Sequence, residues 1–137
     1  MPLLITKNKD LGLLILRIGV GLSMMIFHGF GKLKGGPELW EKIGGNMSNL
    51  GIDFFPVFWG FMAAFSEFFA SFFIIVGFFF KPATALLIFT MFVAILRHLS
   101  LPDGSSGAGW SGASHALELL VVYLALFFTG PGKYKIY

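Results

Sequence analysis

The sequence predicts an all-α integral membrane protein: a four-helix transmembrane bundle with a short interfacial helix in its first loop. Two observations support this fold class. The chain has 137 residues, of which 56% are hydrophobic and only 12% charged, whereas soluble domains carry about 25% charge. Its apolar residues also fall into four long runs, and a helix needs roughly 20 residues to cross a hydrocarbon core of about 30 Å. The runs do not alternate polar and apolar residues, so they do not support a transmembrane β-barrel.

The four runs form a single predicted transmembrane domain over residues 1–137. The predicted spans are 11–30, 54–80, 82–101 and 113–129. Glycines and prolines separate these spans, and the pair Lys81-Pro82 predicts a very tight antiparallel link between the second and third. In the long first loop, Pro37–Ile43 has the pattern of a short amphipathic helix that lies on the membrane interface, with proline in its first turn.

Lysine distribution predicts the orientation of the bundle. Four spans place both termini on the side of the link between the second and third spans. That side carries Lys7, Lys9, Lys81, Lys133 and Lys135, and the other side carries Lys32, Lys34 and Lys42. Because cytoplasmic loops are enriched in Lys and Arg, this five-to-three bias predicts cytoplasmic termini.

Composition also excludes several classes of site and partner. The chain has no cysteine, which excludes a disulfide framework, a thiolate metal site and a thiol relay carried by this chain. Its net charge is +3, and its basic residues lie at the ends of apolar runs rather than in a stripe. The lipid bilayer is therefore the predicted partner, and nucleic acid is not.

Ionisable residues in and beside the spans are the candidates for function, because an isolated charge at mid-bilayer costs about 2.5 to 3.5 kcal/mol. The candidates for ligand binding or proton transfer are Arg17, His28, Lys32, Glu67, Arg97, His98, His115 and Glu118. Helical rise places all of them except Arg17 and Lys32 at middle to outer depth, as a shared polar site requires. No catalytic residue is assigned.

Helical spacing indicates which of these candidates share a face. Arg17, His28 and Lys32 form one stripe on the first span, and His115 and Glu118 lie one turn apart on the fourth. Glu67 lies centrally in its span, so it needs a buried partner. Several other candidates also have a purely structural explanation. Arg17 could snorkel to the interface, Arg97 and His98 could reach water at the end of their span, and His28 could simply end a helix.

Several features follow one another along the chain in a fixed order. They are Arg17 on the first span, the closing sequence His28-Gly29-x-Gly31-Lys32, Glu67 inside the second span, Gly77 before Lys81-Pro82, and a polar fourth span. In this order and spacing the chain resembles the DoxX family of small bacterial four-helix membrane proteins, over residues 11–130. The family takes its name from terminal oxidase and thiosulfate:quinone oxidoreductase complexes. The resemblance implies a bacterial inner-membrane redox subunit, a partner redox protein of the sulfur or thiol type, and a quinone as the acceptor.

The leading hypothesis is a membrane subunit whose inward Arg/Glu/His cluster binds a small polar or quinone-like ligand and helps to move protons while a partner transfers electrons. No haem, flavin or thiol motif is recognisable, which does not favour an autonomous enzyme. Alternatives are a non-enzymatic transporter and a scaffold, and an oligomer is compatible with each. A metal site is less favoured. Four-helix di-iron proteins use Glu-x-x-His pairs on two helices, whereas this chain has one reversed pair, His115-x-x-Glu118.

Overall fold

The computed structural model describes residues 8–136, which are helical and turn structure without a β-strand. Lys7, which enters the lysine count, lies outside these residues. The helices are α1 (Lys9–Met24), α2 (Phe30–Gly44), α3 (Pro56–Phe65), α4 (Ser71–Val76), α5 (Phe80–Ser100) and α6 (Gly109–Thr129). Two π-helical turns join them in pairs: π1 (Met25–Gly29) links α1 to α2, and π2 (Ser66–Ala70) links α3 to α4. A 3₁₀ segment, Gly45–Leu50, follows α2.

Four helical stretches are long and apolar enough to cross a membrane, which confirms the predicted fold class. They are the first span (α1, π1 and the start of α2), the second span (α3, π2 and α4), the third span (α5) and the fourth span (α6). Small and aliphatic residues such as Ala70, Ile74 and Leu87 fill the core. Phenylalanines such as Phe27 and Phe128 are exposed on the outside, where membrane helices contact lipid.

The first helix is longer than the predicted span. It continues through the residues predicted to begin the loop, as far as Gly35, and then breaks at Gly36, whose φ is 76°. The short helix begins again at Pro37 and ends at Gly44. It folds back onto α3, and the Trp40 indole donates a hydrogen bond of 2.8 Å to the carbonyl of Lys32. Gly44 and Gly60 lie at the contact between α2 and α3, where a Cβ on either would overlap a carbonyl oxygen of the other helix.

The predicted position of the tight link between the second and third spans is wrong by a few residues. Helix α4 ends at Val76, the turn comprises residues 77–79, and α5 already begins at Phe80. Pro82 therefore lies inside the first turn of α5. Proline is tolerated there because the first N–H groups of a helix have no intrahelical acceptor. The fourth helix also begins earlier than predicted, at Gly109, so glycine and serine at its start do not exclude helix.

Candidate functional site

Two π-helical turns meet at the centre of the bundle. Gly29 of π1 packs so closely on π2 that a Cβ would come within 2.6 Å of the Glu67 carbonyl carbon and the Phe68 nitrogen. Only a residue without a side chain permits this approach. A π-turn adds one residue to a helical turn and is frequent at functional sites. Here the extra residues lie in the turns that carry His28 and Glu67.

Glu67 is buried and paired with a lysine from the first span. The Lys32 ammonium nitrogen lies 2.7 Å from Glu67 Oε1 and 2.6 Å from Oε2. The Glu67 side chain is 4% exposed and the Lys32 side chain is 31% exposed. The partner that Glu67 requires is therefore Lys32. This ion pair joins the first and second spans, and its glutamate is buried whereas its lysine is partly accessible.

This ion pair opens on a cavity of about 520 Å³ between the end of the first span, the second span and the third span. Its polar lining comes from Lys32, Lys42, Asn46, Ser66, Glu67, Thr90 and Arg97. Its walls are otherwise apolar and include Phe58, Trp59, Met62, Leu86, Phe89 and Val93. The hydroxyls of Ser66 and Thr90 donate to carbonyls of their own helices, so each retains acceptor capacity toward the cavity.

The cavity has an excess of positive charge. Lys32, Lys42 and Arg97 line it together with a single carboxylate, that of Glu67. Since Glu67 is paired with Lys32, the other two cations are uncompensated. Within residues 8–136, neither Lys42 nor Arg97 forms an ion pair. The arrangement suits a ligand with an apolar body and oxygen atoms that accept hydrogen bonds.

Arg17 lies outside this cavity and binds backbone instead. Its buried guanidinium donates to the carbonyls of Ile74 (2.8 Å) and Ile75 (2.7 Å) at the end of α4. It also donates to Pro131 (2.8 Å) and Tyr134 (2.6 Å), which follow the fourth span. Carbonyls in the last turn of a helix lack intrahelical donors and carry partial negative charge. Arg17 therefore joins three spans at the end of the bundle that carries the termini.

His28 and His115 lie together at a second location. Their rings stack with centroids 5.3 Å apart, and both line a small cavity of about 150 Å³ with Gly19 and Ser23. Neither histidine lines the larger cavity. The structure thus places these two candidates between the first and fourth spans, apart from the lining of the large cavity.

The remaining two candidates lie apart from both cavities. His98 donates from Nδ1 to the carbonyl of Gly107 at 2.7 Å, which ties the loop after the third span to its helix. Glu118 is exposed on the fourth span, and it has no hydrogen bond or ion pair within the described part of the chain. Of the eight candidates, only Lys32, Glu67 and Arg97 therefore share the large cavity.

For some residues, nothing in the sequence indicated that they would line the cavity. Lys42 and Asn46 belong to the first loop, whose folding back onto the bundle depends on the break at Gly36. Thr90 and Val93 are different, because they occupy the same helical face as Arg97 and could have been included on spacing alone. Within residues 8–136, no group of three or more His, Asp or Glu residues is positioned to hold a metal ion.

Two buried hydroxyls lie near Glu67 in the bundle. Ser71 is one helical turn from Glu67, and Tyr123 comes from the fourth span. In the part of the chain that the structure describes, neither hydroxyl has a hydrogen-bond partner. Each hydroxyl can donate one hydrogen bond and accept others, so both keep this capacity inside the bundle.

Comparison with known proteins agrees with the resemblance noted in the sequence. No curated protein and no solved structure matches the chain. The DoxX family model matches residues 12–99, well over half of the chain. The matched residues contain π1, π2 and all of the residues that line the large cavity, among them Lys32, Glu67 and Arg97. This multi-pass membrane protein belongs to the DoxX family.

Proposed function

We propose that the chain is a membrane subunit of a quinone-linked redox complex, and that the large cavity binds the quinone. One observation carries this proposal: a buried glutamate and an accessible lysine form an ion pair that faces an apolar cavity of about 520 Å³. A volume of this size lies within the range of small-molecule sites. The partner is a redox protein of the sulfur or thiol type, which supplies the electrons.

The residues of the cavity fit a quinone headgroup. Aromatic side chains such as Phe58, Trp59 and Phe89 can cover the faces of a flat ring. The ammonium of Lys32 and the guanidinium of Arg97 are hydrogen-bond donors for its oxygens. A bound quinone accepts two electrons and two protons to become a quinol.

The role of Lys32 and Glu67 in this scheme is to supply protons. Lys32 Nζ carries a proton that it can donate to a ligand oxygen, and the Glu67 carboxylate holds the ammonium in place at 2.6 to 2.7 Å. After that donation the Glu67 carboxylate, an acceptor in its ionised form, takes up a proton from water that reaches the partly exposed Lys32 and returns it to the neutral amine. Two such cycles deliver the two protons that the quinol needs. The neighbouring hydroxyls of Ser71 and Tyr123 are free within the described residues to take part in that transfer.

The family supports a location in the bacterial inner membrane, and the lysine bias supports an orientation with both termini in the cytoplasm. Single cysteines at Lys9 and Lys133 test this orientation, because the chain has no native cysteine. We expect a membrane-impermeant thiol reagent to label both from the cytoplasmic side only. Labelling from opposite sides would contradict the even number of spans, and labelling of both from outside would contradict the orientation.

Quinone binding is testable by tryptophan fluorescence. We expect a short-chain ubiquinone analogue to quench the purified protein in detergent with a saturable dependence on concentration, since Trp59 lines the cavity. Trp59→Phe should reduce the saturable component and leave the part contributed by Trp40, whose indole binds the Lys32 carbonyl. Trp110→Phe should keep it in full, because Trp110 is exposed outside the cavity. A hydrogen bond to a charged group contributes about 1.5 to 3 kcal/mol, so Arg97→Gln should weaken binding by about tenfold or more.

Lys34→Gln is the matched control for Arg97→Gln. Lys34 is exposed and does not line the cavity, so its replacement should leave the dissociation constant unchanged. An unchanged dissociation constant for Arg97→Gln, together with unchanged saturable quenching in Trp59→Phe, would reject the cavity as the quinone site. Absence of saturable quenching, together with no quinone in a solvent extract of the purified protein, would favour the transporter or scaffold alternatives.

A further inference from the structure

Ser71 and Tyr123 lie in one layer of the bundle, about one helical turn from Glu67 toward the end that carries the termini. The second span begins at Pro56 and the fourth at Gly109, on the same side of the membrane. At a rise of 1.5 Å per residue, Ser71 lies about 22 Å from the first of these ends and Tyr123 about 21 Å from the second. Glu67 lies about 16 Å from its end. The two hydroxyls therefore share a depth, just beyond the carboxylate.

Both hydroxyls are enclosed by protein and face the carboxylate region. Ser71 is 0% exposed and Tyr123 is 1% exposed, and neither hydroxyl has a hydrogen-bond partner among residues 8–136. The charge of Glu67 acts on the Tyr123 hydroxyl, and Ser71 follows Glu67 by one turn of the same span. Oε2 of Glu67 lies 2.6 Å from Lys32 Nζ. A carboxylate oxygen can accept a further hydrogen bond, so Oε2 retains capacity toward the two hydroxyls.

An apolar layer closes this region toward the end of the bundle that carries the termini. Ile74 follows Ser71 by three residues and Leu126 follows Tyr123 by three, so both lie about 4.5 Å farther along. Both are 0% exposed and belong to the hydrophobic core. Arg17 lies beyond them, where it binds the Ile74 carbonyl. The hydroxyls are therefore separated from that end and lie next to the carboxylate.

A water molecule has the hydrogen-bonding groups that this arrangement requires. A buried water typically makes about three hydrogen bonds to polar groups that otherwise have none. The hydroxyls of Ser71 and Tyr123 can each donate to its oxygen, and the water can donate to Glu67 Oε2. A cation is a poor occupant, because Lys32 already neutralises the carboxylate. An apolar group would leave all three polar atoms without partners.

We propose that Ser71 and Tyr123 bind an internal water molecule that donates a hydrogen bond to Glu67 Oε2. Hydrogen bonds to a carboxylate favour its ionised form. Tyr123 is then a positioning residue, which acts through the water to hold the carboxylate ionised beside Lys32. The use of this arrangement in proton supply rests on the proposed quinone function, whereas the water site itself does not.

Radiolytic footprinting of the purified protein in detergent tests for the water. An X-ray pulse converts bound water to hydroxyl radicals, which modify only adjacent side chains. We expect modification of Tyr123 in spite of its 1% exposure, with Tyr134, which is 45% exposed, as the reference. Ser71→Ala should reduce modification of Tyr123 by about threefold or more, because the water loses one of about three hydrogen bonds.

Thr84→Val is the matched control for Ser71→Ala. Thr84 is also 0% exposed, but its hydroxyl already donates to the carbonyls of Phe80 and Lys81 in its own helix. Its replacement should leave the modification of Tyr123 unchanged. An equal decrease in both variants would show that the labelling reports general packing, which would overturn the proposal.

The sign of the change in melting temperature separates a hydrated site from a dry one. With water bound, Tyr123→Phe removes a hydrogen bond and should lower the melting temperature by about 3 to 5 °C. In a dry site the same change removes an unpaired polar group and should raise it. The double variant Ser71→Ala/Tyr123→Phe should resemble the single variants, because either change alone loses the shared water.

Infrared spectroscopy tests the positioning role of Tyr123. The carboxylate band that disappears in Glu67→Gln belongs to Glu67. We expect this band to shift in Tyr123→Phe and to stay in place in Thr84→Val. A tyrosine that only filled space in the core would not move it.

Three results would each overturn the proposal: no modification of Tyr123 in the wild type, a higher melting temperature in Tyr123→Phe, and an unchanged Glu67 band in that variant. Quenching by the short-chain ubiquinone analogue is a separate readout. Its absence from the wild type would reject the proposed quinone site and leave the modification of Tyr123 as it was. Absence of that modification would reject the water site and leave the quenching as it was.

Discussion

Arg17→Met is expected to lower the free energy of unfolding by about 3 to 5 kcal/mol, because it removes hydrogen bonds from a charged donor that contribute about 1.5 to 3 kcal/mol each. Arg17 is 1% exposed, and its guanidinium donates to four carbonyls from two separate segments of the chain. Methionine fills much of the same volume but donates no hydrogen bond. Each buried carbonyl left without a donor costs about 1 to 3 kcal/mol, less where the chain end can turn toward water.

Thermal unfolding in detergent, followed by circular dichroism, measures this effect. Arg97→Met is the matched control, because Arg97 is exposed and forms no ion pair among residues 8–136. Arg17→Lys should give an intermediate melting temperature, since one ammonium group cannot reach carbonyls as widely separated as those of Ile74 and Tyr134 with the planar geometry of guanidinium. Equal melting temperatures for Arg17→Met and Arg97→Met would show that the contacts at Arg17 do not hold the spans together.

Glu67→Ala is expected to lower stability by a comparable amount, about 3 to 5 kcal/mol. Glu67 is buried and both of its oxygens lie within 2.7 Å of Lys32 Nζ. Its loss leaves an ammonium beside the apolar core with no counter-charge. Lys42→Ala is the control, because Lys42 lines the same cavity but is exposed and outside any ion pair of the described residues. We expect its melting temperature to stay close to that of the wild type.

A double-mutant cycle tests whether the effect belongs to the pair. Lys32→Met/Glu67→Gln removes both charges and keeps approximate volume, so it should be more stable than either single variant. Replacement of a buried ion pair by neutral groups is often close to neutral for stability, whereas breaking it is not. If the two single effects simply add in the double variant, the ion pair is not coupled and Glu67 is stabilised by something else.

The membrane fold was predictable because it follows directly from the composition of the chain and the lengths of its apolar runs. A chain with 18 Phe, 56% hydrophobic residues and four apolar runs has no arrangement in water that buries its apolar surface. Boundaries were less predictable. The first helix passes through Gly31 and ends only at the break at Gly36, because a glycine costs a helix only about 1 kcal/mol and does not by itself end it.

Prediction of the site was partial for a different reason. Depth along a helix follows from residue number, so Glu67 could be recognised as central and in need of a partner. Rotation about the helix axis does not follow so simply, because it is set by the packing of each helix against its neighbours, and in the first two spans a π-turn also shifts the face presented by everything beyond it. His115 and Glu118 lie at a depth similar to that of Glu67, but the structure places them away from the cavity that Glu67 shares with Arg97.

By itself, the amino-acid sequence determined that this protein lies in a membrane, how many spans it has and which ionisable residues they carry. These follow from hydrophobicity and helical rise, which are local properties. Only the tertiary structure decided the partners: Lys32 for Glu67, backbone carbonyls for Arg17, and His28 for His115. Partnership depends on the rotation and close approach of separate helices. Those are set at the contact between π1 and π2, where Gly29 packs on the backbone of Glu67 and Phe68.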